Sequence, residues 1–332
     1  MIGPLDEHLA HQTEMPVAQV ASEHPAWQDR FYFNIHDMEG NFVAITGLGA
    51  YPNRQTMDAY LFVVYKGNHY SLYRSRPLRG DRHDMKVEEL SYRIVDPLRA
   101  WQLELSDAEN GISASLEFQA RCPPLEFSPI YWEKEGRLVV KQYHYTQAGR
   151  YRGRFQVGGD TIEGLIGMRD RSWGIRVIPD VDIWIWISAQ FPRYCISAWL
   201  WESRAGQLVH FDGGMVSEEG PIVRLTAMEH QLELWPGTRR PRGGLFRLTS
   251  QGGERWELEA QEIVSIFIGG PGPKFSLDDK DALAQADRQA IGFDQFCRFR
   301  MGADEGYGIV EFMVVGGSER YSISPASLPL SP

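Results

Sequence analysis

Apolar and polar residues alternate with a two-residue period along most of this chain, the mark of strands with one wet and one buried face. Phe31, Phe33 and Ile35 share one face of FYFNI, Trp101, Leu103 and Leu105 one face of WQLEL, and Trp256, Leu258 and Ala260 one face of ERWELEA. Turn chemistry separates the runs, as at Glu39-Gly40-Asn41, Gly158-Gly159-Asp160 and Gln251-Gly252-Gly253. The pattern predicts about eighteen strands, nearly half on either side of residue 165, at the spacing of sandwiches and barrels. Closure is the simplest way to hide the edges of so many strands, so each half is expected to form one antiparallel barrel. A single helix is predicted over 277–289, with Ser276 as N-cap and Gly292 beyond its end. The expected division is an arm over 1–25, a first barrel over 26–165, a second over 166–324 and a tail over 325–332. No repeat of 20–50 residues is present, which excludes propellers and solenoids.

Composition narrows the function classes. The 332 residues include 33 glycines, 19 prolines, 16 Phe, 14 Tyr and 10 Trp, which suits an aromatic-rich β protein. A formal charge of -10 argues against a nucleic-acid surface. The most apolar stretch, 181–201, is broken at its centre by Gln190, Pro192, Arg193 and Tyr194 and reads as two strands joined by a turn, not a membrane span. The first residues carry neither a basic nor an apolar leader region. Cys122, Cys195 and Cys297 form no CxxC pair, so neither a zinc site nor a disulfide framework is implied. These features suit a reducing cytoplasm, with a homodimer left open.

Candidate chemistry is sparse. GLGA at 47–50 lacks the third glycine and the βαβ context of a dinucleotide fingerprint, and GGPGPK at 269–274 lacks the Ser or Thr and the helix of a phosphate loop. No GxSxG, HExxH or EF-hand pattern occurs, and no metal site is expected. His210 and Asp212 lie two apart on one strand face, as an acid–base pair or as a polar strand end before Gly213-Gly214. His144 and Tyr145 fall in a long strand just before the interdomain segment. Trp184 and Trp186 share one strand face, as do Trp199 and Trp201; a hairpin through 190–194 would put four indoles on one side of one sheet. They could fill a core or wall an apolar ligand cavity at a barrel mouth or interior, where indole faces attract positive charge.

The segment 167–176, GMRDRSWGIR, concentrates Arg169, Asp170, Arg171, Trp173 and Arg176 in ten residues. It resembles the RDxSWGxR motif of the AttH-like proteins, related to carotenoid 1,2-hydratase (hydroxyneurosporene synthase). GLGAYPN at 47–53, VDPLRAWQLEL at 95–105, YHYTQAGRYRG at 143–153 and GYGIVEF at 306–312 look similar as well. The resemblance spans residues 30–315 and implies two tandem lipocalin-like (calycin) barrels, an apolar isoprenoid, steroid-like or otherwise lipidic ligand, and hydration, cyclisation or isomerisation without a cofactor. Arg171 departs from the motif, standing where many relatives have histidine, and arginine cannot take over a histidine's proton transfer. Such chemistry needs an acid, for which Asp170 is the first candidate, with Glu311 and Asp212 in reserve. Tyr145 and His144 are expected beside it, and Trp173, the four barrel tryptophans, His210 and Asp212 around the ligand. Two alternatives stand beside the enzyme reading. The protein could be a non-catalytic lipid carrier or sensor, and Arg169, Asp170 and Arg171 could form an ion-pair knot that pins the two barrels together.

Overall fold

The computed structural model describes residues 2–9, 20 and 22–325. Among them are twenty-two strands and one α-helix, Lys280–Gln289. The helix begins three residues later than predicted because Asp279, not Ser276, caps it: its carboxylate accepts from the backbone N–H groups of Asp281 and Ala282.

All strand pairing is antiparallel, and the strands form two bodies. In the second half, eight strands from Ile183–Gln190 to Asp304–Met313 close into a barrel when the first of them pairs with the last. The first half is a fourteen-stranded curled sheet. Its middle runs Thr56–Tyr65, Phe42–Tyr51, Trp27–His36, Ile166–Arg176, Arg137–Val157, Ile112–Ala120. Its far margins approach one another where buried Arg76, on Asn68–Pro77, donates to the carbonyls of Asp84 (2.7 Å) and Lys86 (2.6 Å). The expected tandem lipocalin-like architecture therefore holds, with only the second unit fully closed.

Two boundaries differ from the sequence reading. Ile166–Arg176 falls in the second barrel by the sequence pattern, yet it is a central strand of the first sheet, paired with Trp27–His36 on one side and Arg137–Val157 on the other. Its charges obscured a true alternation: Arg169, Arg171 and Trp173 take one face, Asp170, Ser172 and Arg176 the other. In addition, the short strand Lys274–Ser276 leaves the second half and pairs with Asn68–Pro77 of the first sheet.

Both interiors are packed. Phe31, Phe33, Trp101, Phe118 and Phe155 fill the concave side of the first sheet. Ile183, Ile185, Phe246, Phe293, Phe299 and Phe312 fill the closed barrel. Burying such side chains is worth about 1.5–3 kcal/mol each, and dense packing leaves no room for a ligand. The cavity expected inside a barrel is absent from the described residues. A third apolar cluster, containing Trp184, Trp186, Trp199 and Trp201, lies on the outside of the barrel against the first sheet.

Candidate active site between the two sheets

A cavity of about 220 Å³ lies at this seam, lined by both sheets. Each wall is a row of residues running across neighbouring strands at one register. On the barrel side the row is Trp199, Trp186, Glu311 and Asp294, each directly opposite the next. On the first sheet it is Tyr60, Gly47, Tyr32 and Asp170. Gly47 belongs there because a Cβ would sit 2.6 Å from the Tyr60 hydroxyl and 2.5 Å from the Phe31 carbonyl; its absence lets the tyrosine lie across the strand. His144, two strands from Tyr32, reaches Asp170 with Nε2 3.0 Å from Oδ2. That imidazole sits among aromatic rings, its centroid 4.7 Å from Trp199 and 4.9 Å from Phe127.

The contact with Asp170 fixes the imidazole. In the neutral ring Nε2–H donates to the carboxylate, which leaves the lone pair on Nδ1, and Nδ1 is buried with no hydrogen-bond partner among the described residues. Across the cavity the Trp184 indole N–H donates to Glu311 Oε1 at 2.8 Å, and the Tyr32 hydroxyl to Asp294 Oδ2 at 3.4 Å. Burial raises the Glu311 carboxyl to about 7. Burial, then the charge of Glu311, holds Asp294 well above the usual carboxylate range. Burial and the neighbouring carboxylates likewise keep Tyr32 a neutral phenol. Two guanidiniums balance these acids: Arg30, and Arg176, whose Cζ lies 5.4 Å from the Trp184 ring centroid.

The predicted residues divide cleanly. Asp170, His144, Glu311, Trp184, Trp186, Trp199 and Arg176 line the cavity. Trp201 stands behind the wall, stacked on Trp184 at 4.9 Å. His210 and Asp212, expected to touch ligand, do not line the cavity. The His210 ring sits edge-on to Trp199 at 5.7 Å. Asp212 pairs with Arg224 and accepts from the Ser128 N–H of the first sheet, an interdomain tie. Tyr145 and Trp173 face away from the cavity because they occupy the opposite parity of their strands. Tyr145 donates to Glu7, and Trp173 stacks on Tyr143 at 5.6 Å.

The same parity separates Asp170 from its neighbouring arginines. Arg169 pairs with Glu7 at 2.7 Å inside the first sheet, where the Trp101 indole N–H also donates to Glu7 at 2.7 Å. Arg171 pairs with Asp29, donates to the His8 carbonyl at 2.8 Å and lies 4.3 Å from the Phe31 centroid. Both arginines thus anchor the N-terminal segment instead of knotting the two barrels together. That segment, expected to be a free arm, buries Glu7 and Leu9 in the first sheet.

Arg30, Tyr32, Tyr60 and Asp294 are cavity residues that sequence reasoning missed. Tyr32 sits between core-facing Phe31 and Phe33, and Asp294 follows core-facing Phe293; that alternation is the signal that marks them as outward-facing. Among the described residues no group of three or more His, Cys, Asp or Glu is arranged to hold a metal ion, and no helix is long and apolar enough to cross a membrane.

Comparison with solved structures shows this fold elsewhere. A candidate AttH from Nitrosomonas europaea superposes with a TM-score of 0.62 at 13% identity, covering 88% of this chain and 94% of that one. Kievitone hydratase from Nectria haematococca gives 0.60 at 12% identity, covering 86% and 88%. CghA, solved with Sch210972, gives 0.57 at 14%, covering 87% and 89%. At these identities the likeness is one of fold, and at that level it agrees with the AttH-like resemblance of the central motif. No curated protein matches the sequence. A family model matches residues 2–324, nearly the whole chain, and the protein belongs to that family, the family of unknown function DUF8625.

Proposed function

We propose that this protein is an enzyme that takes a hydrophobic small molecule into the cavity between its two sheets and hydrates, cyclises or isomerises it by proton transfer. The observation that carries this reading is the His144–Asp170 pair at a cavity walled by three indoles. With Asp170 holding Nε2–H, His144 Nδ1 is the base, a role worth roughly 10²–10⁴-fold in rate. The faces of Trp184, Trp186 and Trp199 stabilise positive charge developing on carbon, by about 0.5–2 kcal/mol each. A cavity of about 150 Å³ holds benzene, so the 220 Å³ here takes a bicyclic skeleton, and a longer isoprenoid extends beyond it. The hydratase among the proteins of this fold supports a catalytic role. So does the concentration of acids and guanidiniums at the cavity, since an apolar carrier has no use for them.

Native mass spectrometry of the protein after exposure to a hydrophobic extract, with chromatography of the extract before and after, tests the reading. A retained small molecule and a product changed by one water, or by none, are expected. Asp170→Asn should retain the molecule and its melting temperature while losing conversion. A folded protein that never retains anything would overturn the proposal, and retention without conversion would make the protein a carrier.

A further inference from the structure

The barrel wall of the cavity holds two carboxyls that the His144–Asp170 pair does not require. Asp294 and Glu311 are directly opposed on adjacent strands, Gly292–Met301 and Asp304–Met313. That register sets their Cβ atoms about 4.5–5.5 Å apart. Both point outward from the barrel into the seam. One oxygen of each is engaged, Asp294 Oδ2 by Tyr32 and Glu311 Oε1 by Trp184. Asp294 is only 2% exposed, yet its Oδ1 has no hydrogen-bond partner among the described residues. Elsewhere the same outward faces carry Phe296, Ile309 and Met313, so hydrocarbon could have filled this part of the seam too.

We propose, resting on the function above, that Asp294 and Glu311 hold one proton between them and present it to a substrate oxygen, so that the substrate is a conjugated carbonyl compound rather than a plain hydrocarbon. Two facing carboxyls in a dry site cannot both ionise, and the shared proton is the cheapest solution. The direction of both titrations, held up by burial, agrees. A hydrocarbon entering the cavity would strip water from Asp294, Glu311, Tyr32, Arg30 and Arg176 and return no hydrogen bond. An enone returns one, because its carbonyl oxygen accepts the shared proton.

The site then places an acid on the barrel wall and a base on the sheet wall. For conjugate hydration, the water oxygen bonds to the β-carbon while His144 takes its proton. The C=C pair moves to form the enol C=C, and the C=O π pair takes the proton of the carboxyl pair. In the return step the enol O–H proton goes back to the carboxyls as His144 delivers its proton to the α-carbon. Water is consumed, both side-chain groups are regenerated, and no electrons are gained or lost. The groups facing the carboxyl pair are Tyr32 and Arg30 from one strand, Tyr60 from the next, Asp170 and Arg176 from the central strand, and His144.

Two probes of equal size decide the matter, a bicyclic enone (an octalone) and decalin, each titrated calorimetrically into the full-length protein. The enone should bind at least tenfold more tightly, with its ultraviolet band shifted to the red by the hydrogen bond. Its acidic C–H positions should exchange with deuterium, at least a hundredfold faster than in Asp294→Asn/Glu311→Gln, which keeps shape and hydrogen bonding but holds no acid. Equal binding of the two probes without a red shift would overturn the carboxyl-pair proposal and leave the cavity reading standing. Failure of both probes to bind would overturn both. Should the double variant not fold, the wild-type comparison of the two probes still decides.

Discussion

A carboxyl held above its ordinary pKa is a cost to the folded state, and Glu311→Gln measures that cost directly. Glutamine is isosteric and keeps an oxygen to accept from the Trp184 indole, so the change removes titration and little else. The Glu311 carboxyl titrates near 4.5 in the unfolded chain and at about 7 in the fold. Below pH 4.5 it is protonated in both states and contributes nothing. Between 4.5 and 7 the unfolded chain loses the proton while the folded one keeps it, so the unfolded state gains about 1.36 kcal/mol per pH unit. Above pH 7 the penalty is complete, on the order of 3 kcal/mol by the same conversion. With an unfolding entropy of about 2.1 cal/mol/K per residue, that is a melting shift of about 4 °C for a chain of this size. Glu311→Gln should therefore melt several degrees above wild type at pH 8 and coincide with it near pH 4.5, by differential scanning calorimetry in matched buffers. Asp170, Tyr32, Arg30 and Arg176 face this carboxyl and remain in both proteins, so their own titrations largely cancel; Asp294 loses the charge that helps hold it up, which eases its ionisation and adds to the variant's advantage at high pH. A variant that melts lower than wild type at pH 8, or by the same margin at every pH, would refute the reasoning.

Glu7→Ala leaves Arg169 charged and unpaired inside the first sheet, and the loss should approach the about 3–5 kcal/mol of a broken buried pair. Arg169→Met added to it should recover part of that in urea melts. Burial alone would raise the Glu7 carboxyl, but Arg169, Tyr145 and Trp101 outweigh it and hold it low. Its stabilisation is thus full above pH 4.5 and fades as the pH falls through the folded value, where the melts of Glu7→Ala and wild type should converge. Gly47→Ala puts a methyl against Tyr60 and the Phe31 carbonyl, and should cost about 1–3 kcal/mol in urea midpoint while weakening retention of any cavity ligand.

Much of the fold was legible because period-two alternation states which face of each strand is buried. The hairpin that sets Trp184 opposite Trp201 and Trp186 opposite Trp199 follows from the break at 190–194, and the register bears it out. What alternation cannot state is which side of a strand becomes the inside of a barrel. Ile183, Ile185 and Ile187 compete for the interior with Trp184 and Trp186, and both sets are apolar; the isoleucines take it, and the indoles go to the seam. The same ambiguity hid the central strand, whose Arg169 and Arg171 look solvated until Glu7 and Asp29 are seen to neutralise them. Glu7 lies some 160 residues from its partner, and nothing local in PLDEHLA announces the pairing.

The cavity's position has a physical reason that also explains which candidates came together. Side chains at one register on neighbouring strands lie in a row whatever their distance in sequence, so Tyr32, Tyr60 and Asp170 meet, as do Trp186, Asp294 and Glu311. A closed barrel of eight strands has an interior just wide enough for its own side chains, and a ligand there would require large core residues to become small. The seam has no such constraint. Two convex outer faces touch along part of their surface and diverge elsewhere, so a gap forms without any loss of core packing. The residues bordering it are already outward-facing, the parity at which carboxyls, guanidiniums and phenols are tolerated. Two filled units set side by side thus create a polar-lined cavity that neither has alone, and substitutions there change its lining at little expense to either core.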